Sequence, residues 1–355
     1  MPRVGKVSME RATRNVRLGL TLPLGSAADA VTLARKARER GYEEIWLAEV
    51  GGGDAYAIAG ALAVGVPGMR LGTAVVPAQT RTPMVHAMAA LSLAQLTGGN
   101  FVLGLGISSP NIVQDWGGQP YDRPLLRMRE HVLVLRRMLA GEKVDHEGQT
   151  LHARRFRLGG RLPAPVPIYL GALNEQMLRM TGALCDGVIL NMVPEHALPR
   201  LLGAVRAGAE KAGRDPAEIE VVSRLHVVMT EDAESGRKLV RGAFGAYAAT
   251  PGYNRAFEWM GFADEARQIR EAFAKGDRAG VAAGMSEGLC DAMAIVGDAS
   301  AVRARVRAYA EQGVDVCVLN PIGDARGIER TIDGVAGALD GLDLRQSGVL
   351  RATKA

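Results

Sequence analysis

The segment "FVLGLGISSPN", residues 101–111, decides between two fold classes. Gly104 and Gly106 interrupt its apolar run, and Ser108 and Ser109 follow directly. A dinucleotide-binding turn needs a third glycine where Ser109 stands, and an acidic residue at a strand end about twenty residues later. A long predicted helix occupies that region instead. We therefore predict a barrel strand whose carboxyl end places both serines at an active-site mouth.

Around this segment one unit recurs: an amphipathic helix, a glycine or polar turn, and a short apolar strand. The unit is clearest in "SAADAVTLARKARERGYEEIWLAE", residues 26–49. Ser26 and Asp29 form a capping box, apolar residues follow at helical spacing, and Gly41 is placed to end the helix. Strands that are apolar throughout and separated by helices are typical of a parallel sheet covered on both faces.

Eight such strands are predicted, so the expected fold is a (β/α)8 TIM barrel, with a doubly wound sheet as the alternative. The predicted strands are residues 16–20, 45–48, 70–75, 101–106, 168–170, 187–190, 219–229 and 316–319.

Two stretches interrupt the repeat, and both lie between predicted strands. Residues 111–165 contain an amphipathic helix and then a polar hairpin with its turn near Glu147 and Gly148. Residues 244–292 indicate extra helices rich in glycine, alanine and aromatic residues. We therefore interpret them as insertions after strands four and seven of one barrel domain. The expected division is an N-terminal tail (1–15), the barrel (16–340) and a C-terminal tail (341–355).

Composition excludes several classes of protein. The 43 Lys+Arg and 38 Asp+Glu residues are mixed along the chain without a basic block, so no nucleic-acid partner is expected. No apolar stretch is long enough to span a bilayer, and the first residues lack a secretion signal. The three cysteines form no CxxC pair and are expected to be reduced packing residues of a cytoplasmic protein.

Several ordered segments carry a family resemblance. "LTGGNFVLGLGISSP" (96–110), with "RLGTAVVPAQTRTPMVHAMAALSLAQL" (70–96) before it, resembles the luciferase-like monooxygenase superfamily. The most similar branch uses the deazaflavin coenzyme F-420 and includes methylene-tetrahydromethanopterin reductases. "PIYLGALNEQMLRMTGALCDGVILN" (167–191) and "DAMAIVGDASAVRARVRAYAEQGVDVCVLNP" (291–321) also resemble that branch. The resemblance implies a (β/α)8 barrel with insertions that forms a homodimer.

The resemblance also implies where the coenzyme would bind. It predicts a bulge with a non-prolyl cis peptide at Ala74-Val75, supporting the back of the deazaflavin ring, although an ordinary trans strand end is the alternative. It places the coenzyme phosphate at Gly171 and Ala172, with further contact near Gly187. A plain strand–helix turn, in which glycine only relieves crowding, is the alternative there.

Two residues are candidates for proton transfer. Glu49 ends the second predicted strand, where a carboxylate could exchange a proton, or could simply form a surface salt bridge. The family often has histidine after this acidic residue, and Val50 stands in its place, which weakens the flavin monooxygenase interpretation. His226 shares one face of a predicted strand with Arg224, as a polar pair near the cavity or as satisfied core groups.

The sequence therefore predicts hydride transfer between coenzyme F-420 and a small organic substrate. The alternatives are an FMN-dependent luciferase-like monooxygenase and a barrel that binds a coenzyme or metabolite without turnover. No metal is expected, because no histidine or cysteine shows metal-ligand spacing. Ser109 replaces the glutamate of related sugar-phosphate dehydrogenases, which argues against a glucose-6-phosphate substrate. The aromatic insertion is expected to be a lid, a dimer contact or a satellite core.

Overall fold

The computed structural model describes residues 16–342. The predicted N-terminal tail, residues 1–15, lies outside the described residues, as do residues 343–355 of the predicted C-terminal tail. Within the described part, no helix is both long enough and apolar enough to cross a membrane. Its three cysteines are free and buried, which agrees with the predicted packing role.

Strands and helices alternate along the chain as the repeat predicts. The strands are β1 (Arg17–Thr21), β2 (Glu44–Leu47), β3 (Arg70–Thr73), β4 (Val76–Pro77), β5 (Phe101–Gly106), β6 (Val144–Glu147), β7 (His152–Phe156), β8 (Ile168–Gly171), β9 (Gly187–Asn191), β10 (Glu220–Met229), β11 (Ala294–Gly297) and β12 (Val316–Pro321). The α-helices are α1 (Ala27–Glu39), α2 (Ala55–Gly65), α3 (Pro83–Leu96), α4 (Pro124–Leu139), α5 (Glu175–Leu184), α6 (Leu198–Lys211), α7 (Ala233–Ala249), α8 (Pro251–Trp259), α9 (Ala263–Ala274), α10 (Arg278–Gly284), α11 (Glu287–Met293), α12 (Ala299–Glu311) and α13 (Ala325–Val335).

Eight parallel strands close into a barrel. Their order is β1, β2, β3, β5, β8, β9, β10 and β12, and β12 pairs again with β1. These correspond to the eight predicted strands, so the (β/α)8 fold is confirmed. The pairing of β9 with β10 closes the ring at the position where a doubly wound sheet would have a free edge.

The first helix shows how local sequence sets the repeat. The Ser26 hydroxyl accepts a hydrogen bond from the Asp29 N–H at 3.3 Å and caps α1, as the capping box predicts. Gly41 follows the helix with φ +84°, a conformation that costs glycine little. Buried alanines on one face of α1 then pack against the barrel.

Alternate residues of each strand face the barrel interior, and the others face the helices. Eight buried residues form an interior cluster, separate from the larger core between strands and helices: Trp46, Ala74, Val102, Tyr169, Ile189, Val222, Val316 and Val318. Because Val222 of β10 points inward, Glu220, Arg224 and His226 share the inward face of that strand. They lie at successive heights, from the amino end of the barrel to its mouth.

The insertions contain regular elements. The predicted hairpin forms as β6 and β7, and the predicted helix before it is α4, which packs against α3 and α5 in the outer ring. The second insertion folds into α7–α11, beginning upstream of residue 244. The sequence analysis missed β11, which pairs with the last residues of β10, because its short apolar run directly follows the apolar face of α11.

Charged side chains close the amino end of the barrel. Glu44 is fully buried and accepts hydrogen bonds from Arg17, from Arg70 at 3.0 Å and from the Trp46 indole at 2.8 Å. Glu220 accepts from Arg17, from the Tyr169 hydroxyl and from Arg70 at 2.9 Å. We call these two acidic residues, with Arg17, Arg70 and Tyr169, the amino-end network. Each cation in it has two carboxylate partners.

Candidate active site

A backbone bulge separates β3 from β4 at the barrel mouth. Gly72 pairs with Val102, and Val76 pairs with Leu105. The three residues 73–75 therefore lie opposite only two residues of β5. The Ala74-Val75 peptide bond within the bulge is cis, as the resemblance predicts. The sequence prediction extended this strand too far, to residue 75, because apolar residues continue through the bulge.

Thr73 and Gly104 hold the bulge in place. The Thr73 hydroxyl donates to the Gly104 carbonyl at 2.7 Å and accepts from the Gly104 N–H at 2.9 Å. A Cβ atom at Gly104 would lie 1.8 Å from the Thr73 carbonyl oxygen, so only glycine fits there. The sequence analysis did not identify Thr73 as part of the site.

The wall of the mouth around Val75 carries almost no side chains. A Cβ atom added at Gly106 would lie 2.4 Å from Val75 Cγ2, and one added at Gly171 would lie 3.1 Å from Val75 Cγ1. Both glycines occupy inward positions at the carboxyl ends of their strands. The half-buried Val75 side chain therefore lies between two positions without side chains, beside the buried Ala74. We call these four residues the glycine wall.

Polar side chains line another wall of the mouth. The His226 Nε2 atom lies 2.9 Å from Asn191 Oδ1, and the Asn320 amide nitrogen lies 2.5 Å from His226 Nδ1. Arg224 Nη1 donates to Asn191 Oδ1 at 3.3 Å, and the Asn191 amide donates to the Tyr253 hydroxyl at 2.7 Å. We call these five residues the polar wall. In the strand order the polar wall occupies β9, β10 and β12, and it adjoins the glycine wall where β8 pairs with β9.

The hydrogen bonds assign a neutral tautomer to His226. Nδ1 accepts from the Asn320 amide, so Nε2 carries the proton and donates to Asn191. Burial, with a smaller contribution from the charge of Arg224, lowers the pKa of His226 well below its usual value. The imidazole is therefore uncharged near neutral pH. The predicted pairing of Arg224 and His226 on one face is confirmed, and both contact Asn191.

Glu49 is held in an ion pair at the edge of the mouth. Its oxygens accept from Arg81 Nη1 at 2.7 Å and Nη2 at 2.8 Å, and from the Ala55 N–H at 3.0 Å. Arg81 also donates to Asp54 at 2.5 Å, and Asp54 caps α2. The carboxylate thus has three donors within the protein. Sequence reasoning missed Arg81, which lies 32 residues from Glu49.

Ser108 and Ser109 do lie at the carboxyl end of β5. Ser108 adopts a left-handed backbone conformation with φ +59°, which is uncommon outside glycine, and its carbonyl accepts from the Tyr121 hydroxyl at 3.2 Å. The Ser109 hydroxyl accepts from the Ile112 N–H at 3.4 Å, at the start of the π-helical turn Asn111–Trp116. Both serines are half-buried and shape the loop at the mouth.

The three residues predicted to contact phosphate do not lie together. Gly171 and Ala172 are at the mouth, but the Ala172 N–H already donates to the Ile189 carbonyl at 3.2 Å. Gly187 begins β9 and pairs with Tyr169 and Glu220 near the amino end of the barrel. Placing Gly187 at the phosphate site is therefore wrong, because the first residue of a barrel strand lies at the end opposite the mouth. A Cβ atom there would lie 2.7 Å from the Tyr169 ring.

Aromatic residues of α7 and α8 cover the polar wall. The ring of Phe244 lies 4.5 Å from that of His226, edge to face, and Tyr247, Tyr253 and Phe257 continue the chain of ring contacts. The three roles predicted for this insertion, a lid, a dimer contact or a satellite core, stay predictions. Sequence reasoning also missed Asn191 and Asn320, although both follow an apolar run ending in leucine, "VILN" and "VCVLN".

Across residues 16–342, no three histidine, cysteine or acidic residues gather as a metal site would require. The mouth instead combines a nearly flat apolar wall, a neutral hydrogen-bonded wall with one arginine, and an aromatic cover.

Comparison with known proteins agrees with this architecture. The chain is 30% identical to the 5,10-methylenetetrahydromethanopterin reductase of Methanolobus tindarius, over 82% of this chain and 89% of that protein. It is also 30% identical to a Mycobacterium tuberculosis protein whose name describes a coenzyme F-420-dependent oxidoreductase, over 86% and 94% of the two chains.

Solved structures share the fold. The coenzyme F-420-dependent tetrahydromethanopterin reductase of Methanopyrus kandleri superposes with a TM-score of 0.77 at 22% identity, covering 91% of this chain and 98% of that one. An F-420-dependent secondary alcohol dehydrogenase gives a TM-score of 0.75 at 16% identity, covering 92% and 99%. The model of the luciferase-like monooxygenase family matches residues 10–316. This chain is therefore a member of the luciferase-like monooxygenase family.

Proposed function

We propose that this protein is a coenzyme F-420-dependent oxidoreductase that transfers a hydride between the deazaflavin and a small organic substrate. The named relatives support the choice of coenzyme. The observation that carries the proposal is the glycine wall, where Gly106 and Gly171 carry no side chains and the Val75 side chain lies against both. When bound, a deazaflavin supplies a ring carbon that gives or accepts a hydride.

The described residues fit such a molecule. A flat ring would pack against Val75 and Ala74, and the backbone of the bulge would lie behind it. A methyl group at Gly171 would lie 3.1 Å from Val75 Cγ1, so glycine there lets the Val75 side chain pack against the end of β8. For the phosphate, we propose the first turn of α5, because Asn174, at the N-cap position before it, makes no side-chain cap and leaves backbone N–H groups available. Gly171 lies just before that turn.

We further propose that His226, rather than Glu49, handles the substrate proton. His226 is neutral and lies in the polar wall, where Asn320 and Asn191 fix its orientation. Glu49 is already bound by Arg81 and the Ala55 N–H, so its role would be to position the glycine-rich loop that follows β2. The Phe244 ring packs against His226, which is buried and so shielded from water. The expectations of a homodimer and a cytoplasmic location stay predictions.

Equilibrium titration with coenzyme F-420 and, separately, with FMN tests the function. We expect the protein to bind F-420, and to lose at least about tenfold in affinity in Gly171→Leu, because the new side chain occupies the ring site. Gly203→Leu is the matched control, since a Cβ atom at Gly203 on α6 meets nothing within 4 Å. Circular dichroism verifies that both variants fold.

Three results would contradict the proposal. If the protein binds FMN but not F-420, the monooxygenase alternative is favoured. If folded Gly171→Leu binds F-420 with unchanged affinity, the coenzyme does not bind at the glycine wall. Binding without turnover of any reduced or oxidised substrate would favour the non-catalytic barrel.

A further inference from the structure

Arg224 is a charged side chain inside the barrel at the level of the mouth. It follows Val222 on the inward face of β10 and is half-buried. Its register partner on β9 is Asn191, another member of the polar wall. A cation in this position is costly unless an anion accompanies it.

Arg224 has no carboxylate partner among residues 16–342. The interior arginines at the other end of the barrel, Arg17 and Arg70, each pair with two glutamates. Near the mouth, Arg81 pairs with Glu49 and Asp54. The groups around Arg224 are neutral: amides, an uncharged imidazole and tyrosine hydroxyls. Burial consequently lowers the pKa of Arg224, although the group remains protonated.

The hydrogen bonds of the guanidinium group are also incomplete. Nη1 donates to Asn191 Oδ1 at 3.3 Å, and that oxygen already accepts the shorter bond from His226. Nε is buried and has no acceptor. Nε and Nη2 form the edge of a guanidinium group that suits a bidentate carboxylate. The described residues therefore leave this edge without the anion that its geometry favours.

We propose that Arg224 binds a carboxylate of the substrate, so that the enzyme acts on a small carboxylic acid. This inference rests on the proposed function, because it places the acid between the polar wall and a coenzyme on the glycine wall. A carboxylate there would neutralise Arg224 and lie beside His226. One cation surrounded by neutral donors matches a singly charged group better than a phosphate dianion, which usually requires more cations.

Matched acids and amides provide the test. The full-length protein, with and without saturating F-420, is titrated with monocarboxylates from acetate to benzoate and with the corresponding amides. The readouts are the thermal midpoint and the absorbance of bound F-420. We expect at least one acid to bind while its amide does not. We expect Arg224→Gln to lower the affinity for that acid by about tenfold or more, and Arg224→Lys to retain part of the affinity.

Arg255→Gln is the control variant, because it removes the same charge from an exposed position on α8. The inference fails if no acid is distinguished from its amide, or if Arg224→Gln binds the acid like the unaltered protein. It also fails if acid and F-420 compete, since Arg224 would then serve an anionic group of the coenzyme. If the protein binds an acid through Arg224 but does not bind F-420, the carboxylate site is supported and the proposed function is rejected.

Discussion

The two ends of the barrel differ in whether their interior charges have charged partners, and β10 contributes a charged residue to each end. At the amino end, Glu220 joins a network in which Arg17 and Arg70 each contact two carboxylates. Four residues later on the same face, Arg224 has only the amide of Asn191. One inward-facing strand thus carries a compensated charge at its amino end and an uncompensated charge nearer its carboxyl end.

This difference separates structural charge from functional charge. A buried ion whose partners are in place belongs to the fold, because removing one partner leaves an uncompensated buried charge and destabilises the protein. A buried ion without a partner costs stability and is retained where a ligand supplies the partner. Neutralising one charge at each end of the barrel tests this difference.

The largest effect is expected at the amino end. Glu44→Gln should lower the free energy of unfolding by about 3–5 kcal/mol, because it leaves Arg17 and Arg70 with one carboxylate between them in a buried site. Urea denaturation measures this change. Glu311→Gln, at an exposed position on α12, is the control and should change stability by less than about 0.5 kcal/mol. A similarly small effect of Glu44→Gln would show that the network is not needed for stability.

The two ends should also lose stability in different pH ranges. Burial alone would raise the pKa of Glu220, but Arg70 and Arg17 outweigh it and hold the pKa at about 2. The unfolded chain therefore takes up the proton first, and roughly 3 kcal/mol is lost as the pH falls from about 4.5 to 2. Burial also lowers the pKa of His226. The unfolded chain therefore takes up this proton first, and the stability that the neutral imidazole contributes is lost as the pH falls below about 6.5, a higher range than that of Glu220.

Urea denaturation as a function of pH distinguishes these contributions. Glu220→Gln should flatten the profile below pH 4.5, and His226→Gln should flatten part of it between pH 6.5 and 4.5. His86 shares the upper range, because burial lowers its pKa to about 4, so the second change is partial. Variants with profiles parallel to the unaltered protein would contradict these assignments.

The smallest effect is expected at the mouth. Arg224→Gln should leave the free energy of unfolding unchanged or raise it by up to about 1 kcal/mol, since it removes an unpaired charge and keeps an amide donor for Asn191. Thermal and urea denaturation without added ligand measure it. A loss comparable to that of Glu44→Gln would mean that Arg224 is structurally compensated after all, and the contrast between the two ends would disappear.

Much of the architecture is predictable because it depends on local patterns. Apolar runs separated by amphipathic helices gave the eight barrel strands, and alternation along β10 correctly placed Arg224 and His226 on one face. The error at Gly187 was avoidable, since the first residue of any barrel strand lies away from the mouth. The short strand β11 was not predictable, because its four residues continue an apolar helix face.

The sequence by itself determined the eight strands and which side chains share a strand face, because periodicity and turn chemistry act over a few residues. The tertiary structure alone decided which inward charges are compensated. Arg17 meets Glu220 across 203 residues, and Glu49 meets Arg81 across 32. Electrostatic compensation acts through space and depends on distances that the closed barrel sets, so only the folded chain distinguishes an arginine with carboxylate partners from one without.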